Sequence, residues 1–550
     1  MSDIKRTCKI TGKEFVVTEW EQAFLKKMEA PLPTLCVDER HRKRLAHRNE
    51  RSIYKDKCDL TGKAIVSLYS PDKPYVVYAQ DVWYGDKWDA RDYGRDFDFN
   101  RPFFEQFYEL QQTVPHMALV NLRGENSEYC NITNSNKNCY LVFGGDYCED
   151  CLYSVFSMYC KDSSDLYWVN DSELCYDCID CVKCYRVKYA QNCDNCSDSA
   201  FLFDCKNCES CFGCVGLRNK KFHIFNKPFP EDEYKEKVAL YHLDSRKGVQ
   251  YMKKEFNKFR LNFPHRDAIV INSQNVLGDQ LTDCKNCLNC FDLTGPAEDC
   301  KDVILGGYNM HHVVSSDHVG FKSDLFYEMI GSIEGHHNAF CAFSWTSSDT
   351  YYCDFVLNSH DLFGCSNMNR AQYCILNKQY KKDEYFDLRT RIVEHMKKTG
   401  EWGEFFPMEY SLFDYNETVA QDFFPVTKDE ADSMGLRWRE EGQEKLESGY
   451  EIPDSILGVE DGILNETLVC EKTGKGYKII RQELELYKKL QVPVPHFAPE
   501  TRNRIRFAAR NPRKLWDRKC DKCQAAIKTT YAPDRPEKVY CEACYLKEVY

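Results

Sequence analysis

Small side chains recur at every third position through the middle of this chain, and large ones recur every twelve. Fifteen cysteines lie between Cys130 and Cys214, each a multiple of three residues from its neighbours. Cys284, Cys287, Cys290, Cys341, Cys353, Cys365 and Cys374 keep the same spacing among themselves, and Cys300 departs from it. In a twelve-residue register one column reads Cys148, Cys160, Ser172, Cys184, Cys196, Cys208, and another Cys139, Cys151, Ser163, Cys175, Val187, Ser199, Cys211. Leu141, Tyr153, Tyr189 and Phe201 share a third column, and Phe143, Val155, Tyr167, Ile179 and Phe203 a fourth, with Asp165, Asp177 and Gln191 as interruptions. Large residues two apart belong to one face of a short strand. Short strands stacked at a fixed period between Asn-, Asp-, Gly- and Ser-rich corners predict a parallel β-solenoid. A twelve-residue coil has almost no interior and would force the aromatics outward. A 24-residue coil is therefore expected, its rungs stacked ~4.8 Å apart.

Two duplications frame this repeat. Shifted by 462 residues, Cys8-Lys-Ile-Thr-Gly-Lys13 falls on Cys470-Glu-Lys-Thr-Gly-Lys475, Pro31-Leu-Pro33 on Pro493-Val-Pro495, and Cys58 on Cys520. Shifted by 151, Phe212-Gly-Cys falls on Phe363-Gly-Cys and Asn226-Lys227 on Asn377-Lys378, each followed by a charged, helix-like stretch at 231–262 and 382–399. The expected architecture is mainly β: a parallel β-solenoid in two duplicated halves with helical insertions, flanked by two duplicated zinc-ribbon-like modules. Its parts are a ribbon-like module lacking most ligands at 1–90, a helical linker at 91–122 and solenoid half 1 at 123–226. A helical insert follows at 227–268, solenoid half 2 at 269–378, a helix and connector at 379–468, and an intact ribbon module at 469–550.

The strongest chemical motif is Cys520-x2-Cys523 followed by Cys541-x2-Cys544, two knuckles spaced as in a four-thiolate zinc ribbon. It predicts one structural Zn2+ with no open coordination position. The equivalent quartets Cys58/Thr61/Ala79/Val82, Cys8/Thr11/Cys36/Glu39 and Cys470/Thr473/Ala498/Thr501 have lost ligands and are expected to be metal-free. The lattice cysteines read as small buried hydrophobes, because their columns exchange Cys for Ser and Val. The competing reading is a thiol-based metal or redox buffer.

Two further constellations carry candidate chemistry. Arg40, Arg44, Arg48 and Arg51 fall on one helical face, as do Arg502, Arg506, Arg510 and Arg513, so a polyanion is the expected ligand of both. The alternative is pairing with acidic neighbours such as the Asp-rich 89–98 stretch, since guanidinium forks serve carboxylates equally well. In the second half, Cys300, His312, Asp324, His336, Ser348 and His360 share a register, which predicts a histidine column with His312, Asp324, His336 and His360 as a second metal or proton-transfer site. His311, His318 and His337 lie close by in sequence.

Seventy-four basic and 86 acidic residues give a net charge of −12, so nothing global advertises a polyanion partner. No run approaches the ~18 apolar residues of a membrane span. With no secretory signal, 31 cysteines are expected to be mostly reduced, which places the protein in the cytoplasm.

Cys58-Asp-Leu-Thr-Gly-Lys63, Ser70-Pro-Asp-Lys-Pro74, Tyr93-Gly-Arg-Asp-Phe-Asp98, Asn136-Lys-Asn-Cys-Tyr140, Tyr415-Asn-Glu-Thr-Val-Ala420 and Asn511-Pro-Arg-Lys-Leu-Trp516 are distinctive. With them the whole chain resembles a group of uncharacterised cysteine-rich, zinc-ribbon-flanked proteins of candidate-phyla, small-genome bacteria. The resemblance implies a metal-loaded CxxC ribbon in the first module, where this sequence has lost the cysteines, and it implies no activity. The expected function is a non-enzymatic scaffold or binding protein that contacts a nucleic-acid or protein partner through its arginine-rich modules. Those modules are expected to dock on each other or on the solenoid. The alternative is a carbohydrate-acting or metal-dependent enzyme with its site on the solenoid wall near His312, His336 and His360.

Overall fold

The computed structural model describes residues 2–440 and 449–549. The chain forms two compact units, one of Met1–Leu119 with Ala268–Glu440 and the other of Val120–Asp267 with Glu441–Tyr550. Each unit therefore joins one solenoid half to the duplicated module from the far end of the sequence. The part of the 379–468 connector at 441–448 lies outside the described residues.

The coil holds twelve residues, not 24. In the first solenoid Ser164 pairs in parallel with Tyr176, Tyr176 with Lys188, Tyr185 with Ser197 and Ser197 with Glu209. The second solenoid keeps this step from His336 to Ser348, His360 and Gln372. Before that it runs through longer coils, in which Leu288 pairs with Lys301 and Lys301 with Val314. One extra residue per coil explains why Cys300 leaves the triplet rule.

A coil this short turns four corners in twelve residues, so every third residue is left-handed. Asp165, Trp168, Asp171 and Leu174 have φ of 60°, 58°, 51° and 55°. Such backbone is disfavoured by roughly 1–2 kcal/mol per residue away from glycine, and Asn and Asp relieve it at many corners. Asn195, Asn207 and Asn219 also ladder from coil to coil, with amide bonds of 2.9 and 3.1 Å. The residue after each corner points inward. Four inward side chains must share one coil's interior, which in the first solenoid admits Cys, Ser, Val, Ala and an occasional Leu and in the second also takes Met310, Met329, Met368 and Phe326. The thiols also hydrogen-bond. Cys148 Sγ donates to Ser157 O on the next coil at 3.3 Å, and Cys178 Sγ to Val187 O at 3.4 Å. Ser154 and Ser163 instead donate to the carbonyl two residues back, Leu152 O and Lys161 O, a bond that Cys178 also makes to Tyr176 O at 3.5 Å, so Ser keeps a carbonyl partner where it replaces Cys.

The aromatics face outward and are buried by what lies on top of them. In one unit Tyr176, Tyr189, Phe201 and Phe212 pack against Val249, Met252 and Phe256 of the Arg246–Arg260 helix and against Leu484 and Tyr487. In the other, Tyr327, Phe340, Tyr352 and Phe363 pack under the Phe103–Thr113 helix and Ile392 and Met396 of the Lys382–Thr399 helix. The expected helical linker at 91–122 holds that Phe103–Thr113 helix, part of a short 3-10 turn at Ala90–Tyr93 and the two-residue strands His116–Met117 and Asn121–Leu122. Each solenoid closes with an antiparallel hairpin, Ile224 opposite Lys227 and Ile375 opposite Lys378, in keeping with the 151-residue duplication.

The 462-residue duplication extends to the elements. The hairpins Ile4–Thr7/Glu14–Val17 and Tyr54–Lys57/Ala64–Ser67 have partners at Leu468–Val469/Gly476–Tyr477 and Trp516–Lys519/Ala526–Thr529. The helices Glu19–Lys27 and Val37–Leu45 return as Arg481–Leu490 and Pro499–Ala509.

The tight interior predicts a size rule for the lattice. Cys178→Phe should destabilise the full chain by about 3 kcal/mol or more through overpacking, whereas Cys178→Ser should stay within about 1 kcal/mol because its hydroxyl keeps a carbonyl partner. Urea midpoints measure both, and equal losses would refute the account of the interior.

Candidate functional site

The Cys520, Cys523, Cys541 and Cys544 sulfurs all lie within 4.8 Å of one another, and among the described residues no other group of three or more His, Cys, Asp or Glu converges in this way. Two tight turns bring them together. The Asp521 backbone N–H bonds Val539 O, and the Val539 N–H returns to the Asp521 carboxylate, which clamps the two knuckles side by side. Cys523 Sγ and Cys541 Sγ are 3.7 Å apart, matching the ~3.8 Å edge of a tetrahedron with 2.3 Å metal–sulfur arms. Burial favours the neutral thiol at Cys520, yet backbone N–H groups of Cys523, Cys541 and Lys522 bring it down to about 6. Cys544 is pushed up to about 12 by burial and by the Cys523, Cys541 and Cys520 sulfurs around it. The donors therefore suit a soft divalent ion that replaces the remaining protons.

The three other quartets keep the turn and only part of the ligand set. Burial opposes ionisation of Cys58, but the Thr61 hydroxyl and the N–H groups of Ala79, Thr61 and Leu60 lower it overall. Cys470 is likewise brought to about 7, with Thr473 and Thr501 hydroxyls on its sulfur, the latter at 3.5 Å. Threonine stands where the second ligand would be and donates to the first sulfur. Hydroxyl and backbone N–H groups thus hold the first sulfur in these knuckles.

The arginines turn inward. Arg44 Nε donates to Asp317 Oδ2 at 2.6 Å and its Nη1 binds Glu328. Arg40 lies near Glu328, Glu21 and Asp302, and donates to Ser315 Oγ at 2.6 Å. The other copy repeats this pattern: Arg506 Nη1 donates to Asp165 Oδ1 at 2.7 Å, Arg502 bridges Asp165 and Glu483, and Arg510 Nε donates to Asp180 Oδ2 at 2.9 Å. Glu21 and Glu483, and Glu328 and Asp177, are themselves duplicates. Arg48 binds Glu50 at 2.6 Å because the counterpart of Asp180 is Gly331, where an added Cβ would lie 2.4 Å from the Arg48 guanidinium. Arg51 pairs with Asp422, and Arg513 is half-buried.

These positions correct the polyanion expectation for Arg40, Arg44, Arg48, Arg51, Arg502, Arg506, Arg510 and Arg513. Seven of them spend their charge on carboxylates of the same unit, and Arg40, Arg44, Arg48, Arg502 and Arg506 are buried. The Asp-rich 89–98 stretch is not their partner either: Asp89 holds Arg91 and Asp96 holds Lys378. The carboxylates that matter, Asp165, Asp177, Asp180, Asp317 and Glu328, stand on the solenoid wall. Two of them, Asp165 and Asp177, were visible in the sequence as gaps in an aromatic column.

The histidines form a ladder and do not converge. The thirteen-residue coil pairs Glu298 with His311 and Lys301 with Val314, so His312 falls out of register with Cys300, while Asp324 pairs with His336. His312 Nδ1 still lies 3.0 Å from Asp324 Oδ1, and His336 Nδ1 is 3.2 Å from Asp324 Oδ2. His360 sits two coils beyond His336 and bonds Asp361 at 2.8 Å. The expected four-residue site is thus a pair of histidines on one carboxylate plus a separate His–Asp contact. His337 makes a third such contact, with Asp349 at 2.7 Å, and that carboxylate raises its pKa.

No protein-family model matches the chain, and no curated protein matches it. No helix among the described residues is long and apolar enough to cross a membrane.

If the buried pairs clamp module to solenoid, Arg506→Met should cost about 3 kcal/mol by taking from buried Asp165 its shorter ion pair and leaving it to share Arg502 with Glu483. The exposed Arg504→Met, which loses only a surface contact to Glu500, should stay within about 0.5 kcal/mol. Denaturant midpoints compare them, and similar losses would contradict a clamp.

The clamp is also acid-sensitive. Burial alone would raise Asp317, but Arg44 and His41 lower its pKa overall. A carboxyl depressed in the folded state contributes stability above its unfolded pKa of about 3.9, lost as pH falls through the folded value. Asp317→Asn should therefore flatten the stability profile below about pH 4, as read by thermal melts across pH. An unchanged acid limb would exclude Asp317 as its source.

Proposed function

We propose that this chain is a non-enzymatic scaffold or binding protein with one structural zinc in a ribbon-like C-terminal module, and that its partner is a protein rather than a nucleic acid. The observation that carries this reading is the destination of the arginines. A chain of net charge −12 whose arginine clusters are engaged by its own carboxylates has little left with which to neutralise a phosphate backbone. The modules act as clasps that cover the outward aromatics of a solenoid, and what remains free is an extended, regularly repeating wall. Such walls suit broad, shallow contact with another protein.

Zinc is the ion that four thiolates in a closed tetrahedral set favour. It supplies a cross-link between the two knuckles. Cys520, Cys523, Cys541 and Cys544 hold it, and the Asp521 carboxylate and neighbouring backbone N–H groups orient them. The N-terminal module is the same ribbon-like shell without metal.

Metal analysis of the intact chain should give one zinc per molecule, and Cys523→Ser should abolish it. No zinc, or several metals per chain, would defeat the structural-zinc reading. In parallel, the chain should not be retained on immobilised RNA or DNA at about 0.15 M salt. Retention that weakens steeply with added salt would overturn the choice of a protein partner.

A further inference from the structure

The emptied quartet Cys8/Thr11/Cys36/Glu39 retains two thiols where each of the other two retains one. Cys8 and Cys36 pack together with Leu35 in one small buried cluster. Thr11 Oγ1 lies 3.9 Å from Cys36 Sγ, and the Lys9 N–H bonds Thr34 O at 3.1 Å, which holds the two strands of chain alongside each other. The Cys36 backbone N–H is directed at Cys8 Sγ, as the Cys541 N–H is at Cys520 Sγ, 3.3 Å away, in the intact site. The first and third ligand positions are thus preserved together with their hydrogen bonding, and only the metal's other two ligands are gone. The Lys9–Lys13 turn that covers Cys8 is exposed along its whole length, so the pair lies one layer beneath solvent.

We propose that Cys8 and Cys36 form a redox-active dithiol that closes to an intramolecular disulfide by exchange with a small-molecule disulfide such as oxidised glutathione. The Cys8 thiolate attacks one sulfur of the oxidant and expels a glutathione thiolate, which takes up the proton Cys8 gave to solvent. The Cys36 thiolate then attacks Cys8 Sγ in the mixed disulfide and releases the second glutathione. One small disulfide is reduced to two thiols, and two protein thiols are oxidised to one bond. Cys8 suits the attacking role: burial disfavours its thiolate, but the Thr11 hydroxyl and the N–H groups of Cys36, Thr11 and Ile10 bring it to about 7, near the value at which attack is fastest. Cys36 is the N-cap of the Val37–Leu45 helix that carries Arg40 and Arg44. Oxidation therefore ties the first hairpin to the clasp helix.

The duplication supplies the control. The counterpart of Cys36 is Ala498, so Cys470 has no resolving partner. The intact, zinc-loaded chain is equilibrated in buffers of graded oxidised-to-reduced glutathione ratio, quenched by alkylation and mapped by peptide mass spectrometry. A Cys8–Cys36 linked peptide, two hydrogens lighter than the reduced pair, should rise with the ratio and revert on reduction. In Cys36→Ala, which copies the natural Ala498, Cys8 should instead accumulate as a stable glutathione mixed disulfide. The proposal fails if both cysteines alkylate as free thiols at every ratio. It also fails if Cys8 carries glutathione to the same extent with and without Cys36.

Discussion

Everything in this fold follows from how little room there is inside a twelve-residue coil. Four side chains share that space, so most must be small, with Phe326 admitted beside Gly335, and each must satisfy or at least not block the carbonyls beside it. Cysteine meets both demands, and its S–H reaches a carbonyl of the next coil, as at Cys148 and Cys178. Large side chains are expelled to the outer wall. A solenoid built this way has its greasy surface on the outside and is not stable uncovered. The helices and duplicated modules cover it, and the buried Arg–carboxylate pairs fix where they sit.

The triplet spacing made the solenoid legible, and the CxxC pairs made the metal site legible, because both are local rules carried by residue type. Coil length was misjudged for a physical reason. Aromatics in a repeat suggest a roomy interior, whereas Tyr176, Tyr189 and Phe201 are buried by elements hundreds of residues away or in the following insert. The arginine clusters were visible and their partners were not, since nothing in spacing reveals that Arg506 meets Asp165 across 341 positions. The clue lay in the defects. A charged residue in an otherwise aromatic column marks where a wall expects a countercharge. The histidine column failed on a single inserted residue, which took His312 out of step with Cys300.

The duplicated modules show three ways to hold one shell. The C-terminal knuckles present four sulfurs, the Cys470 and Cys58 knuckles substitute threonine hydroxyls, and the Cys8 knuckle keeps two thiols with one threonine. In each, backbone N–H groups point at the first sulfur. That arrangement belongs to the turn itself and survives when the metal ligands do not. The docked arginines then carry the role that a metal plays in a free-standing ribbon.

The division of the chain between units sets an order in time. Arg44 is made 273 residues before Asp317, and the outward aromatics of the first solenoid precede Leu484 and Tyr487 by a comparable span. At about 5–20 residues per second of synthesis, the first module waits on the order of tens of seconds for the wall it covers, with Arg40 and Arg44 still in water. Neither unit can be completed from a contiguous stretch of nascent chain. Early folding must therefore rest on coil-by-coil stacking, which needs only neighbours twelve residues away, and the long-range clasps close last.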